Sequence, residues 1–210
     1  MEQSTDQLLR EGKLLPVMEE FYTLQGEGFN TGQAAYFIRV GGCDVGCKWC
    51  DVKESWNASD FPPVSTDFIV EHACSYPARA IVVTGGEPLL YNMDYLCSEL
   101  HRKGVRIFLE TSGSQPLSGD WDWICVSPKK DAPPMKEVAL MASELKVIIQ
   151  DYTDFTWAEE NSLLASSSCL LYLQPEWSRR NTMMPEIIRY IQANPKWRIS
   201  LQSHKYMHIP

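Results

Sequence analysis

The 210-residue chain is short of basic residues, with 19 Lys and Arg against 27 Asp and Glu and a formal charge of −8. That balance speaks against nonspecific nucleic-acid binding, which needs a basic face to displace counterions. A small-molecule ligand is the better expectation. The chain has no apolar run of 18 residues and no apolar leader core in the opening MEQSTDQLLREGKLLPVMEEF, so neither a membrane span nor a secretory signal is expected. Repeats, low-complexity tracts and Gly/Ser linkers are missing too, which points to one domain, 1–210, with a short N-terminal extension of about residues 1–16. A domain of this size buries roughly 70% of the surface its unfolded form exposes and needs no disulfides. Seven cysteines is an odd number, and no second CxxC exists, so the thiols read as unpaired and the compartment as the reducing cytoplasm.

What the chain does contain is a series of short apolar, β-branched runs. Strands are expected at Ala35–Val40, Ala80–Thr84, Arg106–Glu110, Trp123–Val126, Glu144–Ile149, Leu170–Gln174 and Arg198–Gln202. Ser65 or Thr66 can cap a helix running toward Tyr76, Asn92 can cap one that Gly104 ends, and Pro185 suits the first turn of a last helix through Glu186 to Ala193. Strands alternating with helices indicate an α/β fold of parallel βα units wound right-handed, hence a barrel or partial barrel. The polar and Gly-rich signatures lie just after strands: the cysteines after AYFIRV, GGEP after AIVVT, TSG after RIFLE, SPK after WICV and QPEW after LYLQ. Loops at the carboxyl ends of barrel strands build active sites, so five such segments on one rim predict an enzyme.

Cys43, Cys47 and Cys50 have CxxxCxxC spacing, with Trp49 just before the third. Three thiolates on a 4Fe-4S cubane leave one iron open to a small molecule, whereas a structural zinc site closes with four ligands. The zinc alternative needs a fourth ligand from His72, His101 or a later cysteine. Cys74 and Cys97 fall on helix patterns, and Cys125 and Cys169 in or beside strands, as small buried hydrophobes do. In Thr84–Pro88 (TGGEP) the glycines allow close backbone approach to a ligand, and Glu87 can accept from an ammonium group; the alternative is an ordinary strand-to-helix turn. Arg39, four residues before Cys43, can clamp a carboxylate with its planar fork or pair with Glu27. Gln25 and the glycines of LQGEG read as rim residues or as plain turn chemistry. Ser127 and Lys129 offer a hydroxyl and a cation, and Gln174 a hydrogen-bonding amide, with surface roles as the alternative.

Taken together, CxxxCxxC with its aromatic, GGEP after the next strand and ETSG after the one following resemble the radical S-adenosylmethionine enzymes. Within them, LQGEG, Arg39, TGGEP, SPK, LQP and the terminal LQSHKYMHIP are similar in order to the 7-carboxy-7-deazaguanine synthase family, from about Phe21 to Pro210. The resemblance implies a modified, incomplete (β/α) barrel with a 4Fe-4S cluster on Cys43, Cys47 and Cys50. It implies S-adenosylmethionine along Gly85, Gly86, Glu87, Thr111, Ser127, Pro128, Lys129, Gln174, Pro175, Glu176 and Trp177. The implied substrate, 6-carboxy-5,6,7,8-tetrahydropterin, would meet Leu24, Gln25, Gly26, Glu27, Arg39 and Thr84, with His204 and Pro210 closing the pocket. Arg39 and Glu27 are the expected catalytic residues, Arg39 orienting the substrate carboxylate. The implied reaction is radical hydrogen abstraction, ring contraction and loss of ammonia, in a homodimer fed by a flavodoxin-like donor. The family usually carries Thr or Ser two positions after the third cysteine to bind Mg²⁺; here the position is Val52, which offers no oxygen, so Mg²⁺ is either held through substrate and waters, with Asp51 the nearest candidate in the loop, or not required. A glycyl-radical activating enzyme shares the cluster motif, but LQGEG and Arg39 argue against it; a zinc-binding structural module is the alternative from another class.

Overall fold

The computed structural model describes residues 4–210, and two strands that the apolar runs do not announce frame one side of it. Leu14–Leu24 (β1) lies antiparallel to Ala34–Val40 (β2), and its first residues pair with Pro63–Ser65 (β3). From β2 onward Ala80–Gly85 (β4), Arg106–Thr111 (β5), Trp123–Val126 (β6), Glu144–Ile149 (β7), Leu170–Pro175 (β8) and Trp197–Ile199 (β9) are all parallel. The sheet order is β3-β1-β2-β4-β5-β6-β7-β8-β9, so β3 and β9 are edges and the barrel is partial, as the alternation predicts. The last strand is shorter than expected and ends at Ile199; beyond it Ser200 and Gln202 turn their side chains to Gln174 and Glu27.

The helices are Thr5–Arg10 (α1), Thr66–Cys74 (α2), Asp94–Arg102 (α3), Lys136–Met141 (α4), Thr153–Ser162 (α5), Arg180–Ala193 (α6) and Ser203–Met207 (α7). Asn92 accepts from the Asp94 amide at 2.8 Å at the start of α3, and Gly104, at φ +73°, follows its end. The last long helix corrects the expectation for Pro185. Glu176 caps the 3₁₀ turn Trp177–Arg179, so α6 begins at Arg180 and Pro185 sits inside it, where its missing N–H removes one helical bond. The presumed extension is also shorter than about 16 residues: Leu15 is fully buried, and Leu14–Pro16 are paired in the sheet. Met1–Gln3, the start of that extension, lie outside the described residues.

Strand residues alternate between two faces. Tyr36, Ile38, Val40, Ile81, Val83, Ile107, Leu109, Val126, Leu145, Val147 and Leu173 are buried in the two clusters that pack on the helices. The opposite face is apolar on one side, with Ala35, Phe37, Ala80, Val82 and Phe108. On the other side it carries Glu144, Lys146 and Gln174, all buried. A barrel centre is normally filled by branched apolar side chains, so a buried polar half marks where chemistry is placed. Among the described residues no helix is long and apolar enough to cross a membrane.

Candidate active site

A cavity of about 440 Å³ opens at the carboxyl ends of the parallel strands, and all five segments that follow strands in the sequence contribute to its wall. Of the expected site residues, Leu24, Gln25, Gly26, Glu27, Arg39, Thr84, His204, Pro210, the three cysteines, Gly85, Gly86, Glu87, Thr111, Ser127, Lys129 and Gln174 to Trp177 line it. Pro128 does not; it is buried away from the wall that Ser127 and Lys129 help to line. Arg39 and Thr84 are register partners on β2 and β4, which puts them side by side at one level.

The cysteine loop is stitched at its root by backbone bonds. Gly41 N–H donates to Pro16 O (2.8 Å), Gly42 N–H to Ser55 O (2.6 Å), Cys43 N–H to Trp56 O (3.1 Å), and Glu87 N–H reaches back to Gly42 O (2.8 Å). A Cβ on Gly86 would stand 2.0 Å from Gly42 O, and one on Gly85 2.2 Å from Val40 O. The two glycines of GGEP thus let that turn press against the root of the cysteine loop. The thiols of Cys43, Cys47 and Cys50 are free and partly buried. Burial pushes Cys43 up, partly offset by the backbone N–H groups of Val45 and Gly46, and pushes Cys47 up against the pull of Lys129.

None of the expected fourth ligands for a zinc site stands at the cavity. His72 bonds the Tyr36 hydroxyl at 2.9 Å, His101 lies 3.1 Å from Asp122, and none of Cys74, Cys97, Cys125 or Cys169 lines the cavity. Among the described residues no three Cys, His, Asp or Glu side chains stand close enough to share a single metal ion. Three free thiols on one cavity wall suit a cubane, whose cysteines bind separate irons.

Glu87 needs a correction. Its carboxylate accepts from the Leu89 amide (3.1 Å), the Thr111 hydroxyl (2.5 Å), the Ser112 amide (2.9 Å) and the Ser112 hydroxyl, which exhausts its four lone-pair sites. It therefore has none left for an ammonium group and instead ties GGEP to ETSG. Lys129 folds back on Ser127, donating to its carbonyl and hydroxyl oxygens at 2.6 Å, and stands 5.4 Å from the Trp49 ring. Gln174 Oε1 accepts from Ser200, and Glu176 caps Ser178 and Arg179.

The part of the wall built by Gln25, Glu27, Glu110 and Lys146 is a charged network. Lys146 Nζ lies 2.5 Å from Glu27 and 2.8 Å from Glu110, Gln25 donates to Glu110 at 2.9 Å, and Gln202 donates to Glu27 at 3.0 Å. Burial raises Glu27, but the Lys146 ammonium outweighs it and holds the carboxyl well below its usual range. Burial works against the Lys146 charge, yet the surrounding acidic groups raise its pKa further. His204, half-buried, is pushed down by burial against the pull of Glu27. Arg39 pairs with Glu19, its register partner on β1, through Nε at 2.6 Å, and not with Glu27. Among the described residues no hydrogen bond engages the two Nη groups of its fork; the guanidinium carbon stands 5.8 Å from the centre of the Phe21 ring, and Arg39 and Phe21 both line the cavity.

Lys146, Glu110, Ser112 and Gln202 line the cavity without having been singled out from the sequence. The signal at Lys146 was a lone charge inside the apolar strand ELKVII, which inward alternation explains.

A profile of the radical SAM superfamily matches residues 37–126, the stretch holding the three cysteines, GGEP and ETSG. The chain is 55% identical over 202 residues to a 7-carboxy-7-deazaguanine synthase of Flavobacterium psychrophilum, covering 96% of each chain. It is 44% identical over 194 residues to that of Synechocystis, covering 92% of this chain and 93% of the other. The crystal structure of QueE from Escherichia coli superposes with a TM-score of 0.83 at 28% identity, over 97% of this chain and 100% of that one. With near-full-length identities of this size, a matching fold and the cysteine-lined cavity, the chain belongs to the 7-carboxy-7-deazaguanine synthase family of radical S-adenosylmethionine enzymes.

Proposed function

We propose that the chain converts 6-carboxy-5,6,7,8-tetrahydropterin to 7-carboxy-7-deazaguanine with loss of ammonia, in the cytoplasm and within 7-deazapurine synthesis. The observation that carries this reading is a single cavity with three free thiols on its wall and an unpartnered arginine fork beside Thr84. Cys43, Cys47 and Cys50 would hold the 4Fe-4S cluster. S-adenosylmethionine would lie along Gly85, Gly86, Thr111, Ser127, Lys129 and the segment Gln174 to Trp177. When bound, the pair supplies one-electron cleavage chemistry able to take hydrogen from the substrate.

The chain's own part is positioning. The Nη groups of Arg39 take the substrate carboxylate in a bidentate grip, while Glu19 fixes the guanidinium from behind. Glu27, ionised by Lys146 and steadied by Gln202, presents an acceptor to the polar edge of the ring. His204 and Pro210 close the far side, and Phe37, Val45, Trp49 and Trp177 exclude water. A homodimer and a flavodoxin-like electron donor complete the proposal.

The residues do not fit a Mg²⁺ held by the cysteine loop. Val52 carries no side-chain oxygen, and one Asp51 oxygen is already bonded by Lys205 at 2.7 Å. Mg²⁺ added back to EDTA-treated enzyme is expected to change turnover little, and a many-fold rise would overturn that reading.

The deciding test of function is an anaerobic assay of reconstituted protein with dithionite, S-adenosylmethionine and the tetrahydropterin acid. The expected outcome is a brown, iron-loaded protein that forms the 7-deazaguanine acid. An intact cluster without product would refute the substrate, and a colourless zinc protein would refute the cluster.

A further inference from the structure

A side-chain amide faces a ligand as a donor through its nitrogen or as an acceptor through its oxygen, and its other hydrogen bonds decide which. Gln174, near the end of β8, lines the active-site cavity and is 2% exposed. Its Oε1 accepts from the Ser200 hydroxyl at 2.6 Å. Among the described residues no hydrogen bond engages its Nε2, and that atom is not one of the buried polar atoms left without a partner, so the little surface Gln174 exposes includes the nitrogen.

Ser200 fixes that orientation from behind the wall. It does not line the cavity and is itself 2% exposed. The pairing of β8 with β9 holds it beside Gln174, its amide donating to Leu173 O at 2.9 Å. From the other side Gly28, the last glycine of LQGEG, donates its N–H to Ser200 Oγ at 3.0 Å. Gly28 is pinned in turn: at φ +65° a Cβ there would collide with the Glu144 carboxylate, and the next amide, that of Phe29, donates to Glu144 at 2.8 Å. A backbone N–H can only donate, so the serine oxygen accepts from Gly28 and its hydrogen goes elsewhere. Among the described residues Gln174 Oε1 is the acceptor it reaches, and turning the amide round would orphan a buried hydroxyl hydrogen. The donors thus run from the LQGEG loop through Ser200 to Gln174 and leave an NH2 group at the cavity.

We propose that Ser200 is a positioning residue that fixes the Gln174 amide as a hydrogen-bond donor to the cofactor, which must set an oxygen or an unprotonated ring nitrogen against it. The inference rests on the reading that S-adenosylmethionine lies along Gln174 to Trp177.

The test measures the dissociation constant of S-adenosylmethionine by calorimetry on anaerobically reconstituted wild type, S200A, Q174M and the double variant. S200A frees the amide to turn and is expected to bind about 3- to 10-fold more weakly, the worth of one hydrogen bond. Q174M has no amide and should lose at least as much. Adding S200A to Q174M should then change the affinity no further, because no amide remains to be oriented. Equal losses in the two backgrounds would mean that Ser200 acts only by holding the loop, and would overturn the proposal, as would wild-type affinity in S200A. A crystal structure of wild type with cluster and S-adenosylmethionine gives a second readout that depends on no variant. A ligand oxygen or unprotonated nitrogen within hydrogen-bond distance of the Gln174 amide is expected; a ligand amino group facing it, or no ligand atom within reach, overturns the proposal. Wild type that takes up the cluster but binds no S-adenosylmethionine would instead sink the underlying cofactor reading.

Discussion

Arg39 has one nitrogen committed to Glu19 and a fork left over, which makes its geometry, not only its charge, the functional property. Lysine keeps the charge but cannot grip two carboxylate oxygens at once. Arg39→Lys is expected to raise the KM for the pterin acid about 10- to 100-fold while leaving iron content unchanged, as read by steady-state kinetics and iron analysis. Glu27 gives a pH prediction. Its carboxyl is held below the ordinary value near 4.5 in the fold, so the ionised form stabilises the native state. That stabilisation is complete above the unfolded value and is lost as pH falls through the lower folded one. Urea unfolding of the cluster-free protein should therefore show wild type losing stability on acidification below about pH 5, with Glu27→Gln losing less over the same range. Residue types at this scale were readable from the sequence, while their partners were not. Glu87 was recognisable as a polar residue at a strand end, but that four donors converge on it depends on where ETSG is brought in space.

Elements explain the glycines. Gly86 faces the carbonyl of Gly42 so closely that a methyl group would collide with backbone, whereas Gly46, at φ +66°, has open space around its would-be Cβ. Gly86→Ala is expected to displace the cysteine loop and cut the iron bound on reconstitution several-fold. Gly46→Ala should bear only the left-handed backbone penalty, about 1 kcal/mol in thermal unfolding, and retain its iron. The parallel strands were legible because each is a short apolar run, and the boundaries of β6 and β7 match the expected ones. β1 was missed for a physical reason: its register shifts between Val17 and Glu19, which breaks the alternation that marks a half-buried strand, and Pro16, Glu19 and Glu20 dilute its apolar signal. β3, three residues that begin on the second proline of the pair Pro62–Pro63, is too short to show a period.

At the scale of the whole molecule the active site is closed by parts far apart in the chain. Lys146 on β7 joins Glu27 from the loop after β1 to Glu110 on β5, and Ser203 at the start of α7 donates to Gly26 O through both its amide (2.9 Å) and its hydroxyl (2.8 Å). Removing the cation would leave two partly buried carboxylates facing each other. Lys146→Ala is expected to cost about 3–5 kcal/mol in urea unfolding, and Glu110→Gln in the same background should recover part of it by removing one of the charges. A failure of the second change to rescue would mean that lost packing, not unpaired charge, accounts for the loss.

The amino-acid order alone determined the strand–helix alternation, the cysteine spacing and the placement of polar loops after apolar strands, because these depend on local pattern and short-range geometry. Nearly every site residue it pointed to lines the cavity, Pro128 excepted, but it did not single out others of the wall, Glu110, Ser112, Lys146 and Gln202 among them. Only the tertiary structure decided which of those side chains are spent on the chain and which remain for a ligand. Glu87 is saturated, Lys129 folds back on Ser127, and Arg39 keeps its fork. Apart from Lys129, whose partner is two residues away, that division follows largely from contacts between residues 20 to 25 positions apart, which no local pattern encodes, and it is set by the need to satisfy each polar group once it leaves water.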